Sequence, residues 1–166
     1  MDAEMPNNES PELVDPQIII TKSKRKLEIF DGGCLIKNYE IVLGFSPTGK
    51  KETEGDGKTP EGEFYIVAKN PESKYHLSLS IGYPAADDAT RGFGRGVITA
   101  EEYREITKAL DAGKMPPQKT GLGGEIYIHG GGIDNDWTAG CIALKDKDIE
   151  EVFYVIPVGT KVTILC

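Results

Sequence analysis

Short apolar segments separated by turn residues run along most of the chain, and this pattern predicts a protein built mainly of β-strands. Residues 75–81 alternate apolar and polar side chains over most of their length, which is the two-residue period of a half-buried strand. Further strands are expected at the following positions: 18–20, 26–30, 35–45, 63–67, 161–165 and a segment that ends at His129.

Two segments carry helix signals instead. Thr99 and Glu102 have the spacing of a capping box, so a helix is expected over residues 100–112. A shorter helix is expected over residues 147–154, with Asp146 as its N-cap. The fold class is therefore mainly β, with one or two short helices.

The length of 166 residues suits one compact domain. Residues 1–16 hold five acidic side chains and three prolines but little apolar surface, which predicts a disordered tail or linker. The folded domain is expected to span residues 17–166. The 20 glycines and 10 prolines of the chain favour many short strands and turns over a helix bundle.

Net charge and hydropathy exclude several classes of partner. The formal charge of -8, with no basic stripe to offset it, repels phosphate backbones and argues against nucleic acid. No apolar run approaches the ~20 residues that a transmembrane helix needs, and the N-terminus lacks the pattern of a signal peptide. The chain is expected to be either cytoplasmic or a form from which an export signal is absent.

The cysteines are three in number, and their spacing matches neither a disulfide framework nor a zinc site. Cys34 and Cys166 lie in unremarkable surroundings, where a free cysteine is usually a small apolar residue. Cys141 differs because it follows a glycine in a turn and lies 12 positions after His129. His129 itself ends an apolar strand.

This arrangement predicts a nucleophile and its base. A catalytic cysteine needs a lowered pKa or an adjacent base, and an imidazole meets that need near neutral pH. Three glycines follow His129, so its imidazole is expected at a sheet edge with open backbone beside it. Cys141 is the predicted nucleophile and His129 the predicted base, with His76, the other histidine of the chain, as the competing candidate.

The turn before Cys141 also predicts an oxyanion hole. Gly140 permits a tight turn in which the amide of Cys141 and the preceding amides of Gly140 and Ala139 converge on one point. Donors in that arrangement stabilise the tetrahedral intermediate of acyl transfer.

The base needs a partner for its second ring nitrogen. No acidic residue directly flanks His129, so a backbone carbonyl of Gly130 or Gly131 is the predicted orienter. Asp134 and Asp136 are weaker alternatives.

Three motifs together resemble the L,D-transpeptidase catalytic domain, also called the YkuD domain. They are His129-Gly130, Thr138-x-Gly140-Cys141-Ile142 and Gly57-x-Thr59-Pro60-x-Gly62-x-Phe64. The resemblance covers about residues 17–166. Tyr83-Pro84 and the run Asp136-Trp137-Thr138 resemble one branch of that family.

The resemblance implies a mainly β fold, described as a β-sandwich or mixed sheet, and a cysteine acyltransferase. Its expected partner is a peptidoglycan stem peptide, which would acylate Cys141, release a terminal D-amino acid and pass its acyl group to an amine. It implies no metal and no cofactor. It also implies a place in the periplasm or cell envelope, and we expect a monomer.

Alternatives to transfer stay open. Many members carry histidine where this chain has Ala139, and arginine or asparagine where it has Ala143, so donor and acceptor are not fixed by the motif. A hydrolase of the same fold, either a carboxypeptidase or an amidase that releases wall-linked protein, uses the same thioester. A non-catalytic wall-binding module is the alternative from another class.

Five residues are candidate substrate contacts. Arg91 and Arg95 could bind a stem-peptide carboxylate, for which guanidinium is well shaped. Trp137 serves equally well as an anchor of its loop or as a wall of the substrate pocket. His76 and Thr138 complete the set.

Overall fold

The structure is a computed structural model that describes residues 12–166. The predicted tail over residues 1–16 therefore falls mostly outside the described residues, and Pro16 is already the first residue of a strand. The strands are β1 Pro16–Thr21, β2 Lys26–Asp31, β3 Cys34–Glu40, β4 Gly62–Ser73, β5 His76–Ile81, β6 Tyr127–His129, β7 Ile142–Ala143 and β8 Lys161–Leu165. The α-helices are α1 Ala86–Gly94, α2 Ala100–Asp111 and α3 Asp146–Val155.

The eight strands form one mixed sheet in the order β3-β2-β1-β8-β4-β5-β6-β7. Two pairs are parallel, β1 with β8 and β6 with β7, and the other pairs are antiparallel. The long strand β4 pairs with β8 through its first residues and with β5 through its later ones, with two register shifts along the second pairing. Bulges of this kind bend a strand, and the sheet curls into a half-barrel. The mainly β prediction is confirmed, and the sheet is mixed.

The main core is built from side chains of the sheet and of α3. The apolar positions of each strand are buried in alternation, as at Ile18 and Ile20 in β1 and at Leu27 and Ile29 in β2. Helix α3 adds Ile149, Val152 and Phe153 to the same cluster. Burial of these side chains, worth about 1.5–3 kcal/mol for each large one, holds the strands that carry the site.

Helices α1 and α2 lie between β5 and β6 along the chain, and they form a separate small core. It is built from Ala89, Ile98, Ile106 and Leu122. Residues 12–166 contain three α-helices, whereas one or two were expected. The helix that was not expected is α1. The sequence of α1 contains two glycines and few apolar residues, and its first turn is held by Asp88, which accepts a hydrogen bond from the Ala85 amide at 2.9 Å.

Two predicted element boundaries need correction. The strand expected over residues 35–45 ends at Glu40, and Val42 and Gly44 then make isolated bridges to Ala143 and Thr138. Helix α3 begins at Asp146 with Lys145 as its N-cap, so Asp146 is not the cap. Its carboxylate instead accepts a hydrogen bond from the Gly131 amide at 2.8 Å, beside the predicted base.

The capping box of α2 is present as predicted. Thr99 accepts a hydrogen bond from the Glu102 amide at 3.1 Å, and Glu102 accepts one from the Thr99 amide at 2.9 Å. We expect Thr99→Ala to lower the free energy of unfolding by about 1 kcal/mol, because the helix loses an N-cap. Urea unfolding measures this, with the exposed mid-helix change Glu105→Ala as control at under about 0.5 kcal/mol. Equal losses in the two variants would contradict a stabilising role for the cap.

Candidate active site

Two neighbouring strands bring Cys141 and His129 to one face of the sheet. β6 and β7 are parallel, with His129 paired to Ala143. Continuing this register places Cys141 beside Tyr127, and the Tyr127 amide donates to Cys141 Sγ at 3.4 Å. Side chains alternate along a strand, so His129 lies on the same face as Tyr127, two residues or about 6.6 Å further along.

The imidazole of His129 is buried and held in one tautomer. The side chain is 2% exposed, and Nδ1 lies 2.6 Å from the carbonyl oxygen of Gly130. A carbonyl only accepts hydrogen bonds, so Nδ1 of the neutral ring carries the proton and Nε2 carries the lone pair. Burial lowers the pKa of His129 below its ordinary value, and the bond to Gly130 opposes this shift without reversing it.

The contact expected of a base orienter is thus made by Gly130. Gly131 is bound through its amide to Asp146 instead. Of the acidic alternatives, Asp136 accepts hydrogen bonds from the Leu43 amide at 2.9 Å and from Arg25 at 2.8 Å, which anchors its loop to the sheet. Asp134 is exposed on the same loop.

Thr138 closes the turn that presents Cys141. Its hydroxyl donates to the Cys141 carbonyl at 2.7 Å and accepts from the Gly140 amide at 3.1 Å. Thr138, expected as a substrate contact, is 4% exposed and serves this turn. The Gly140 amide, expected as an oxyanion donor, is already bonded within the turn. Among the hydrogen bonds of residues 12–166, the amides of Ala139 and Cys141 have no protein acceptor.

Only glycine fits at position 140. Its φ of +140° lies outside the range that other residues favour, and a Cβ there would lie 2.8 Å from the Lys58 carbonyl oxygen and 3.2 Å from Ile126. The loop that contains Lys58 therefore packs directly on the cysteine turn.

The resting thiol of Cys141 is neutral. It donates to the Glu125 carbonyl at 3.3 Å while it accepts from the Tyr127 amide. Burial raises the pKa of Cys141 to about 11, despite the opposing Tyr127 bond. The sequence pattern allowed either a lowered pKa or an adjacent base, and burial rules out a lowered pKa in this resting state.

Trp137 and His76, both expected as substrate contacts, occupy different surroundings. Trp137 donates its indole N–H to the Gly132 carbonyl at 3.0 Å, and its ring centroid lies 5.5 Å from that of His129. His76 is exposed at the start of β5, and its Nε2 lies 2.7 Å from Glu150 of α3. The structure therefore places Trp137 against the base and engages His76 with a helix.

The two arginines are engaged with acidic partners. Arg91 donates to the buried Asp88 at 2.7 Å within α1. Arg95 pairs with Glu52 at 2.8 Å, and both side chains are more than half exposed. These contacts tie α1 together and join it to the loop that carries Glu52.

Tyr75, Glu125 and Tyr127 reach the site although the sequence pattern did not single them out. Glu125 and Tyr127 belong to the segment that ends at His129, so their proximity could have been read from the strand. Tyr75 lies in the turn between β4 and β5, and its ring stacks on His129. No local signal in the sequence connects it to the site.

Cavity volume does not identify this site. A groove of about 840 Å³ lies between β3 and α3 and is lined by Ile36, Tyr39 and Tyr154 among others. Neither Cys141 nor His129 lines it, so the site is recognised by its chemistry.

Residues 12–166 contain no group of three or more His, Cys, Asp or Glu side chains placed to hold a metal ion. Cys34, Cys141 and Cys166 are free thiols. No helix in the described part of the chain is long and apolar enough to cross a membrane.

The structure is a mainly β half-barrel in which a histidine ends one strand and a cysteine immediately precedes the neighbouring strand, as the fold of an L,D-transpeptidase domain would require. The model of the YkuD family, the L,D-transpeptidase catalytic domain, matches residues 15–164. The chain belongs to this family, which acts on peptidoglycan, so the resemblance noted in the sequence is confirmed.

Individual relatives agree with this assignment. YafK of Escherichia coli K12, which carries a provisional L,D-transpeptidase name, is 27% identical over 146 residues, covering 84% of this chain and 46% of YafK. The helical cell shape determining protein Pgp2 of Campylobacter jejuni aligns with a TM-score of 0.62 at 23% identity, over 90% of this chain and 47% of Pgp2. L,D-transpeptidase 1 of Mycobacterium tuberculosis aligns with a TM-score of 0.52 at 12% identity, over 91% of this chain and 61% of that protein. The two structures share the fold, and the chain spans about half the length of YafK and of Pgp2.

We expect Gly140→Ala to disrupt the cysteine turn, because its Cβ meets the Lys58 carbonyl and its φ becomes strained. The expected loss in free energy of unfolding is about 1–3 kcal/mol by urea titration. Gly94→Ala is the matched control, since a Cβ there has no atom within 4 Å. A loss no larger than that of the control would show that the turn tolerates a side chain.

The raised pKa of Cys141 predicts slow alkylation at neutral pH, because little thiolate is present well below about pH 11. At pH 8 we expect iodoacetamide to modify Cys141 about 10-fold or more slowly than the exposed Cys34 and Cys166. Peptide mass spectrometry across pH 6–11 resolves the three sites. Faster reaction of Cys141 at pH 6 would instead reveal a preformed thiolate–imidazolium pair.

Proposed function

We propose that the chain is a cysteine acyltransferase acting on peptidoglycan stem peptides, with Cys141 as nucleophile and His129 as base. The family is established, and one observation carries the assignment of roles. Nδ1 of His129 is fixed 2.6 Å from the Gly130 carbonyl, which leaves the lone pair of Nε2 for a proton on the face that also carries the Cys141 thiol.

Acylation begins from the neutral pair. The thiol proton moves to Nε2 of His129 as sulfur attacks the carbonyl carbon of a stem-peptide bond. Charge then develops on the carbonyl oxygen, where the amides of Cys141 and Ala139 are the proposed donors. When the intermediate collapses, the carbon–nitrogen bond breaks and the imidazolium returns its proton to the leaving D-amino acid. A thioester on Cys141 remains.

The second half-reaction transfers the acyl group from Cys141 to an acceptor and regenerates the free thiol. An acceptor amine attacks the thioester, His129 removes the amine proton, and the new amide leaves as the thiol is reprotonated. The neutral resting pair suits this scheme, because the base must be unprotonated at the start of each half-reaction. No metal or organic cofactor takes part in the proposed steps.

Water is the competing acceptor, and the same thioester would then make the protein a carboxypeptidase or an amidase that releases wall-linked protein. One observation keeps this alternative relevant. Cys141 is half-buried rather than enclosed, and Ala139 beside it is exposed, so the acyl group is within reach of solvent.

The expected partner is a stem peptide of peptidoglycan, with wall-linked protein as the partner of the amidase alternative. The expected location is therefore the cell envelope, in the periplasm or its equivalent, and we expect a monomer. A non-catalytic wall-binding module would share partner and location but would not need Cys141.

The decisive assay incubates the protein with purified peptidoglycan tetrapeptide and an excess of a different D-amino acid, followed by mass spectrometry of the peptide. We expect exchange of the terminal residue by the wild type. Loss of at least about 100-fold is expected in both Cys141→Ala and His129→Gln, since each removes a group that acts in the transition state.

Each other outcome has a defined meaning. Shortened peptide without exchange would identify water as the acceptor and reject the transferase. Exchange that survives in Cys141→Ala would reject the assigned nucleophile. Retained binding to isolated cell walls without any turnover would support the binding module.

A further inference from the structure

The turn between β4 and β5 carries an aromatic ring onto the face of the proposed base. The rings of Tyr75 and His129 are stacked, with centroids 4.5 Å apart and planes inclined by 23°. Trp137 meets Tyr75 edge-on at 5.1 Å and lies tilted against His129 at 5.5 Å. The imidazole thus contacts two aromatic side chains that also contact each other.

Two glycines after His129 make room for this arrangement. A Cβ on Gly130 would lie 2.8 Å from the Tyr75 carbonyl oxygen, and one on Gly131 would lie 3.0 Å from the Trp137 ring. The Gly130 amide donates to the Tyr75 carbonyl at 3.0 Å, so backbone and ring of Tyr75 are both joined to this segment. The open backbone expected beside the imidazole is found at Gly132, where a Cβ would have no atom within 4 Å, whereas Tyr75 and Trp137 occupy the space beside Gly130 and Gly131.

A base held only at Nδ1 is not fully oriented. The terminal torsion of histidine is broad, so one hydrogen bond to Gly130 leaves the ring free to swing about that contact. A stacked ring limits the swing and aims Nε2 along one direction. It also keeps water from that ring face, in line with the burial that lowers the pKa of His129.

We propose that Tyr75 is a positioning residue for His129, whose ring fixes the imidazole plane so that Nε2 faces the Cys141 thiol. This role rests on the proposed function, in which His129 is the base for Cys141. Trp137 supports Tyr75 from its edge. The phenol hydroxyl is not required, because the stack is made by the ring.

Charged groups lie next to this cluster, including the Arg25–Asp136 pair, which adjoins Trp137 in sequence, and the His76–Glu150 pair, which adjoins Tyr75. Lys74 Nζ lies 5.5 Å from the centroid of the Tyr75 ring, and Asp146 is bonded to the Gly131 amide. All of these groups are present in every variant of Tyr75, so a shift in the titration of His129 that Tyr75→Phe does not show reports on the lost ring.

The test compares Tyr75→Phe, Tyr75→Leu and Tyr75→Ala in the full chain. The chain has only two histidines, so proton NMR follows His129 and His76 separately from pH 4 to 9, with His129→Gln for assignment. We expect Tyr75→Phe to leave the pKa of His129 unchanged. Tyr75→Ala and Tyr75→Leu should raise it toward about 6.5, since water reaches the ring.

The reactivity of Cys141 with His129 as base is measured as the rate of acylation by p-nitrophenyl acetate. This activated ester should acylate Cys141 without any wall substrate. Cys34→Ser and Cys166→Ser are included in every variant so that only one thiol is observed. We expect acylation to fall roughly 10- to 100-fold in Tyr75→Ala and Tyr75→Leu, with the acid limb of the pH profile shifted to higher pH. Tyr75→Phe should stay within about 2-fold of the parent.

The outcomes separate this proposal from the proposed function. An unchanged pKa of His129 and an unchanged pH profile in Tyr75→Ala would overturn the positioning role, as would a Tyr75→Phe variant as impaired as Tyr75→Ala. Ester acylation that depends on Tyr75, together with failure of stem-peptide exchange, would keep the positioning role and reject the proposed substrate.

Discussion

The parallel pairing of β6 with β7 is the contact on which the candidate site depends. It is only a few residues long, yet continuing its register places Cys141, the residue before β7, two positions from His129 along the sheet. Two short strands hold little stability alone, and the register is kept because Ile128 and Ile142 are fully buried in the main core. A slip of one residue would turn the imidazole toward the core. The burial of the apolar side chains that fixes the register of these strands therefore also fixes the position of the imidazole.

Partial burial then sets the protonation state of the pair. Burial raises the pKa of Cys141 and lowers the pKa of His129, so both shifts favour the neutral thiol and the neutral imidazole. The thiol rests on the Glu125 carbonyl and is not held as a stored thiolate. In the proposed mechanism, proton transfer to His129 accompanies attack, so the orientation of the imidazole matters more than a permanent positive charge beside the sulfur.

Much of this arrangement could be predicted from the sequence, for physical reasons. Strand positions follow from a two-residue apolar period, and the turn before Cys141 is marked by a glycine that no other residue replaces. Helix α1 has few apolar residues, and it is stabilised by packing against Leu122, far along the chain. The role of Thr138 inside the turn and the stacking of Tyr75 on His129 depend on three-dimensional proximity, for which a single sequence carries no local signal.

The central claim is that Cys141 carries the acyl group and that His129 enables its formation. The most direct measurement is mass spectrometry of the intact protein after brief exposure to stem peptide and acid quench, followed by peptide mapping. We expect an acyl adduct on Cys141 in the wild type that is strongly reduced in His129→Gln. An adduct on another residue, or undiminished acylation of Cys141 without the imidazole, would contradict it.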